Sequence, residues 1–232
     1  MREFINYTDN HYLNADDPIN DFAWRDRKQP VYRLLDNKKW LDDFFERGEL
    51  ALSCFLKFIH YPDEIRGDKE EGDAMVWFEN TKGDTIAVKY QTGENCYVLC
   101  TTMTLNDKII SDFNAVGAIK IHNYTFFGLE VMRAIKNCYQ GISGRCNYKS
   151  SRVFNSSSEY MKTIIDRGDH ANNAEFYDEL LRITSEYELF LKLKKYEYQD
   201  EFRLIWFSNL KVNESIIIKC PEALRHCERI DF

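Results

Sequence analysis

Hydrophobic and polar positions divide the chain into strand-like stretches with a few segments of helical spacing between them. Pro30-Val-Tyr-Arg-Leu-Leu35 reads as a short strand. Asp36 or Asn37 can cap a helix in which Trp40, Leu41, Phe44 and Phe45 recur at helical spacing. Gly48 ends it, because glycine enters the left-handed conformation of a helix C-terminus at little cost. The next strand covers residues 50–56. Strands at 74–79, 84–90 and 96–103 follow, β-branched or aromatic and separated by the turn signals Lys82-Gly83-Asp84 and Thr92-Gly93-Glu94-Asn95.

Farther along, residues 107–122 mix their signals, with a strand expected at 116–122, and Phe126–Tyr139 has helical spacing. Residues 140–158, rich in Gly, Ser, Asn and Arg, read as a loop with one strand. The longest helical pattern runs from Asn172 to Lys195, with Phe176, Leu180, Ile183, Tyr187 and Leu191 along one face. A strand pair at 197–207 and 214–220 precedes a terminal helix begun by Pro221. Residues 62–73 hold six acids and two bases and read as a solvated loop. Residues 1–29 are polar with little periodicity and read as an arm. With only 10 Gly, 4 Pro and no linker-like run, residues 30–232 read as a single domain. The pattern predicts an α+β fold dominated by antiparallel strands.

Composition narrows the class. Of 232 residues, 44% are hydrophobic and 15% aromatic, which excludes a disordered chain. No run approaches the ~20 apolar residues of a membrane span, and MREFINYTDN lacks the apolar region of a secretory leader. Seven cysteines, with no C-x-x-C pair, suggest reduced thiols in a cytoplasmic protein and no zinc site. None of the five histidines forms an H-x-x-x-H pair, and no G-x-S-x-G, P-loop or G-x-G-x-x-G signature occurs. A net charge of −7 argues against a surface that binds nucleic acid everywhere, though not against a local basic strip.

Three constellations could carry chemistry. On the strand 197–207, alternation places Phe202, Leu204 and Trp206 on a core face and Gln199, Glu201 and Arg203 on the other. By itself that polar row reads as an exposed face with a cross-strand ion pair. In the acidic loop, Arg66 either neutralises Asp63, Asp68 and Glu71 or is positioned by them over a ligand. Asp68, Glu71 and Asp73 are also hard-oxygen donors for a divalent ion, but not at EF-hand spacing. Finally, Arg145, Tyr148, Lys149 and Arg152 lie in a stretch free of acids. With Lys192, Lys194 and Lys195 they form either a solvated loop or a strip that tracks a phosphate backbone, Tyr148 stacking on a base.

An early Tyr-Arg strand, a helix ending in Gly, a short strand ending in Ser and a late Gln-x-Glu strand together resemble the ADP-ribosyltransferase superfamily, including DarT-like and other small bacterial transferase toxins. The segments Asp63–Gly72 and Glu201-Phe202-Arg203 also resemble a group of uncharacterised bacterial proteins with a D-x-x-x-R-x-D-x-x-E-G loop and an E-x-R strand. The resemblance covers residues 30–75 and 190–207. It implies a two-sheet, mainly antiparallel transferase fold with flanking helices, and NAD as substrate without a metal. Glu201 would be the catalytic glutamate, Gln199 would orient the nucleophile, and Arg66 would lie over NAD. Tyr32, Arg33, Ser53 and Tyr61 would contact NAD, with Ala51-Leu52-Ser53-Cys54 departing from the common Ser-Thr-Ser pattern. The implied acceptor is RNA or single-stranded DNA, held by Arg145, Tyr148, Lys149 and Arg152. A protein acceptor and a non-catalytic binding module are the alternatives. A toxin would imply an antitoxin or chaperone partner, for which the polar arm is the candidate docking segment.

Overall fold

The structure, a computed structural model, describes residues 29–62, 67–156, 159–168, 174–177, 180 and 187–232. The expected N-terminal arm, apart from Gln29, lies outside these residues. In chain order the strands are β1 (Val31–Leu35), β2 (Glu49–Cys54), β3 (Asp73–Glu79), β4 (Thr85–Gln91), β5 (Cys96–Thr102), β6 (Gly117–Ile121) and β7 (Cys138–Arg145). They continue with β8 (Asn147–Lys149), β9 (Val153–Ser156), β10 (Leu191–Leu193), β11 (Glu201–Ser208), β12 (Ile216–Lys219) and β13 (Cys227–Asp231). The helices are α1 (Lys38–Arg47), α2 (Phe55–Ile59), α3 (Asp107–Asp112), α4 (Tyr124–Ala134) and α5 (Glu159–Asp166).

These elements fall into two compact units. The described part of the smaller unit comes from residues 72–92 and 147–194, and that of the larger from 29–71, 93–146 and 195–232. The sequence shows no interior boundary because the chain crosses between units at Glu71, Thr92, Cys146 and Lys194, none of them in a linker-like stretch.

The larger unit is built on an eight-stranded sheet whose pairings are all antiparallel. β11 pairs with β5 along Cys96–Thr102 and with β7 on its other side. The opposite edge of β5 is shared. β2 meets it at Tyr97 and Val98, and β1 meets it at Thr102. The sheet therefore forks at β5, one arm running through β2 to β12 and the other through β1 and β6 to β13.

One face of this sheet makes the core. Leu50, Leu52, Leu99, Ile119, Phe202, Leu204 and Trp206 cluster with Leu41 and Phe44 of α1 and with Tyr124, Phe127 and Val131 of α4. Each such side chain contributes roughly 1.5–3 kcal/mol on burial. Trp206 satisfies its indole by donating to the Gly128 carbonyl at 2.9 Å. The α1 helix has the expected ends: the Asn37 side chain accepts from the Lys39 amide at 2.9 Å, and Gly48 sits at φ 70°. A Cβ on Gly48 would lie 2.6 Å from the Pro221 backbone, so glycine is required for space as well as conformation.

In the smaller unit β3 and β4 form a hairpin in which Ala74, Val76 and Phe78 face Tyr90, Val88 and Ile86. β9 runs parallel to β3, and β8 pairs in parallel with β10. Phe78 meets Phe176 edge to face, their ring centroids 6.1 Å apart.

The fold is α+β with mostly antiparallel pairing, but several boundaries differ from the pattern reading. The strand expected at 50–56 ends at Cys54, where α2 begins. The helix expected through Tyr139 ends at Ala134, because Asn137 takes φ 63° and turns the chain into β7. Residues 140–158 hold most of β7 together with β8 and β9, not one strand. Within the stretch 172–195, residues 174–177 and 180 are helical, but Tyr187–Phe190 is a 3-10 turn and Leu191 begins β10, whose ladder with β8 outcompetes helical spacing. The segments 197–207 and 214–220 do not pair with each other; β11 lies between β5 and β7, and β12 pairs with β2. The residues after Pro221 form a short 3-10 helix followed by β13, and α5 and β13 have no counterpart in the pattern. No helix among the described residues is long and apolar enough to cross a membrane.

Candidate functional site: a buried carboxylate–guanidinium cluster

The site begins at Asp200, which sits at φ 43° with its amide bonded to the Glu197 carbonyl at 3.1 Å and its carbonyl to the Met103 amide at 2.9 Å. This turn separates a 3-10 helix, Lys194–Gln199, from β11. Gln199 is therefore buried at the end of that helix, and strand alternation does not carry it to the Glu201 face. Beyond the turn the alternation holds: Phe202, Leu204 and Trp206 enter the core, and Glu201 and Arg203 take the opposite face.

Directly paired residues on neighbouring strands share a face. Tyr32, Thr102 and Glu201 thus form one row across β1, β5 and β11. Ser53, Val98 and Ile205 form a second row on the same face. Tyr32 and Ser53 flank the fork on the face that bears Glu201. Arg33 alternates to the other face with Val31, and its Nη1 donates to the Cys100 carbonyl at 3.0 Å, between the points where β1 and β2 meet β5.

The polar row is not an exposed one. Arg203 is 1% exposed and Glu201 6%. Arg203 Nε donates to Glu201 Oε1 at 2.6 Å, and its Nη1 donates to Glu71 Oε1 at 2.7 Å. The Phe55 ring centroid lies 5.8 Å from the guanidinium carbon. Glu71 reaches this place because the connection after α2 folds back: the Asp68 amide bonds to the Phe58 carbonyl at 3.1 Å, and the Glu71 amide to the Asp68 carbonyl at 3.0 Å. Asp68 and Glu71 are consequently buried, which corrects the solvated-loop reading at these two residues, while Lys69 and Glu70 are exposed. A charge removed from water must be paired where it lies. Burial pulls the Arg203 pKa down, but Cys146, Glu201, Glu71 and Cys100 outweigh it and hold the group well above the ordinary arginine value.

Arg66 lies outside the described residues. Tyr61 is half-buried just after α2, its amide bonded to the Phe58 carbonyl at 3.3 Å. The basic strip is distributed differently from the expectation. Arg145, in the larger unit, ion-pairs with Asp200. Tyr148 and Lys149 are half-buried on β8 of the smaller unit. Arg152 is buried there and donates to the Leu191 carbonyl at 3.2 Å. No group of three or more His, Cys, Asp or Glu among the described residues could hold a metal ion. Asp68 accepts from the Glu70 amide, and Asp73 pairs with Lys89 at 2.9 Å.

Glu71 belongs to the quoted loop motif, yet its pairing with Arg203 spans 132 positions and has no local signal. Phe55, Cys100, Thr102 and Cys146 carried no sequence signal for this site. Chemically, the cluster pairs the Glu71 and Glu201 carboxylates with the Arg203 guanidinium in a low-water setting, where the charges interact strongly. No protein-family model matches the chain, and neither does any curated protein or solved structure.

Proposed function

We propose that this chain is an NAD-dependent ADP-ribosyltransferase. The observation that supports this reading most is that Tyr32, Ser53 and Glu201, from three separate segments, lie on one face of the sheet along β5, Tyr32 and Glu201 level with Thr102 and Ser53 with Val98. Cleavage of the nicotinamide–ribose bond develops oxocarbenium-like charge, and Glu201 would hold a ribose hydroxyl and face that charge. Tyr32 and Ser53 would contact NAD, Ser53 at the nicotinamide ribose. Arg33 is left out, because it lies on the opposite face and serves the Cys100 carbonyl.

The first acceptor to test is RNA or single-stranded DNA. A protein acceptor is the second reading, favoured by the pairing of Arg145 with Asp200 and the burial of Arg152, which leave less basic surface for a phosphate backbone. The test uses NAD labelled in either the nicotinamide or the adenylate half, with total RNA, single-stranded DNA and lysate protein as acceptors. Nicotinamide release with label transferred to one polymer is expected, and Glu201→Gln should lower it by about 10²-fold or more without changing the circular dichroism spectrum. Turnover retained in that variant would refute the role given to Glu201.

A further inference from the structure

We propose that Lys120 of β6 binds the pyrophosphate of NAD, and that Glu228 of β13 competes with the pyrophosphate for that lysine; this rests on the transferase reading. The row of paired residues that carries Glu201, Thr102 and Tyr32 does not stop at β1. Tyr32 is also directly opposite Lys120, and Lys120 is opposite Glu228. Directly paired residues share a face, so Lys120 lies on the Glu201 face, whereas Arg33 lies on the other. Neighbouring strands are about 4.8 Å apart, which sets Lys120 about 14 Å from Glu201 along the row. NAD is a long molecule whose anionic middle lies beyond the nicotinamide ribose. With that ribose at Glu201 and the molecule passing Tyr32, the pyrophosphate reaches the Lys120 end of the row, where a flexible four-carbon stem can meet it.

The Lys120 side chain is 26% exposed, and its Nζ donates to Glu228 Oε2 at 2.8 Å. That hydrogen bond raises the lysine pKa and outweighs the opposing effect of burial, so the group is a cation at neutral pH. Glu228 is more than half exposed, and an ion pair in such a setting adds little stability. A pyrophosphate brings more charge and several acceptor oxygens, and it displaces the carboxylate. His122 Nε2 lies 3.2 Å from the same Glu228 oxygen and remains its partner when the lysine turns away. Glu228 therefore weakens binding without blocking it.

Calorimetric binding of ADP-ribose and of adenosine, with nicotinamide release alongside, tests this. Lys120→Ala is expected to weaken ADP-ribose binding about tenfold and to raise the KM for NAD by a similar factor, with the smaller change in kcat. Adenosine lacks the pyrophosphate and should bind this variant as it binds the wild type. Lys120→Gln should match the alanine variant and serves if that variant does not fold, while Lys120→Arg should keep most of the affinity. Glu228→Gln should tighten ADP-ribose by about twofold or more, and the gain should vanish in a Lys120→Ala background. Unchanged ADP-ribose affinity in the Ala and Gln variants, or an equal loss for adenosine, would overturn the proposal. No turnover by the wild-type protein on any acceptor, together with no ADP-ribose binding, would remove the transferase reading and this subsite with it. Turnover lost in Glu201→Gln but indifferent to Lys120 would remove this subsite alone.

Discussion

Between Arg203 and Gly48 the molecule shows two ways in which one residue constrains distant chain. Arg203 does so by charge, drawing Glu71 and Glu201 together inside the larger unit. Gly48 does so by absence of a side chain, letting the Pro221 backbone approach where a Cβ would stand 2.6 Å away. Gly48→Ala is expected to destabilise the protein by about 2–4 kcal/mol, combining the left-handed φ with a clash against backbone; urea denaturation would measure it. The glycine was legible as a helix end, and its contact with Pro221 was not. The same split holds at the site. Alternation gave the faces of Phe202 and Glu201 correctly, because period two is local to a strand. Whether the polar face meets water depends on Phe55 and Glu71, which no local pattern connects to β11. The positive φ of Asp200, which detaches Gln199 from the strand, is likewise hidden from periodicity.

At the scale of elements, three helices of the larger unit share one starting device. Asn37, Asn106 and Asn123 accept from the backbone amides of Lys39, Ile109 and Phe126 at 2.9, 3.0 and 3.1 Å. Replacing each by alanine should cost about 1 kcal/mol, and chemical denaturation of the three single variants would show losses of similar size. Only α1 also has a clear apolar stripe and a terminal glycine, and it is the helix that was read with nearly correct bounds. The six residues of α3 are too few to show a period. The β-hairpin of the smaller unit was legible for the opposite reason: clean alternation flanks a turn centred on Gly83, at φ 86°.

For the whole molecule, stability in acid follows from carboxylates already engaged in ion pairs. Glu130 of α4 bonds Arg133 at 2.8 Å and also Arg225, and the Arg133 hydrogen bond leads the effects that hold its carboxyl below the ordinary 4.5. Its folded pKa is thus below its unfolded one, so the contribution is complete above 4.5 and is lost as pH falls through the lower folded value. Glu130→Gln should lower stability at pH 7 yet leave it nearly unchanged at about pH 3. Urea titrations at the two pH values would narrow the gap between them relative to wild type, and an unchanged gap would reject this account. The division into two units escaped the sequence for a related reason of scale: each unit is assembled from separated segments, and composition reports only on neighbours.

The position of β11 also bears on how the chain can be made. It is an internal strand of the sheet, between β5 and the edge strand β7, yet begins only at residue 201. A ribosome releases β1, β2, β5, β6 and β7 well before the strand that joins β5 to β7 exists. Until then β7 lacks β11, its partner strand among the described residues, and the edge of β5 that β11 will cover is bare. The nascent chain must wait for this internal strand, so pauses in translation before that point prolong the interval in which it can aggregate.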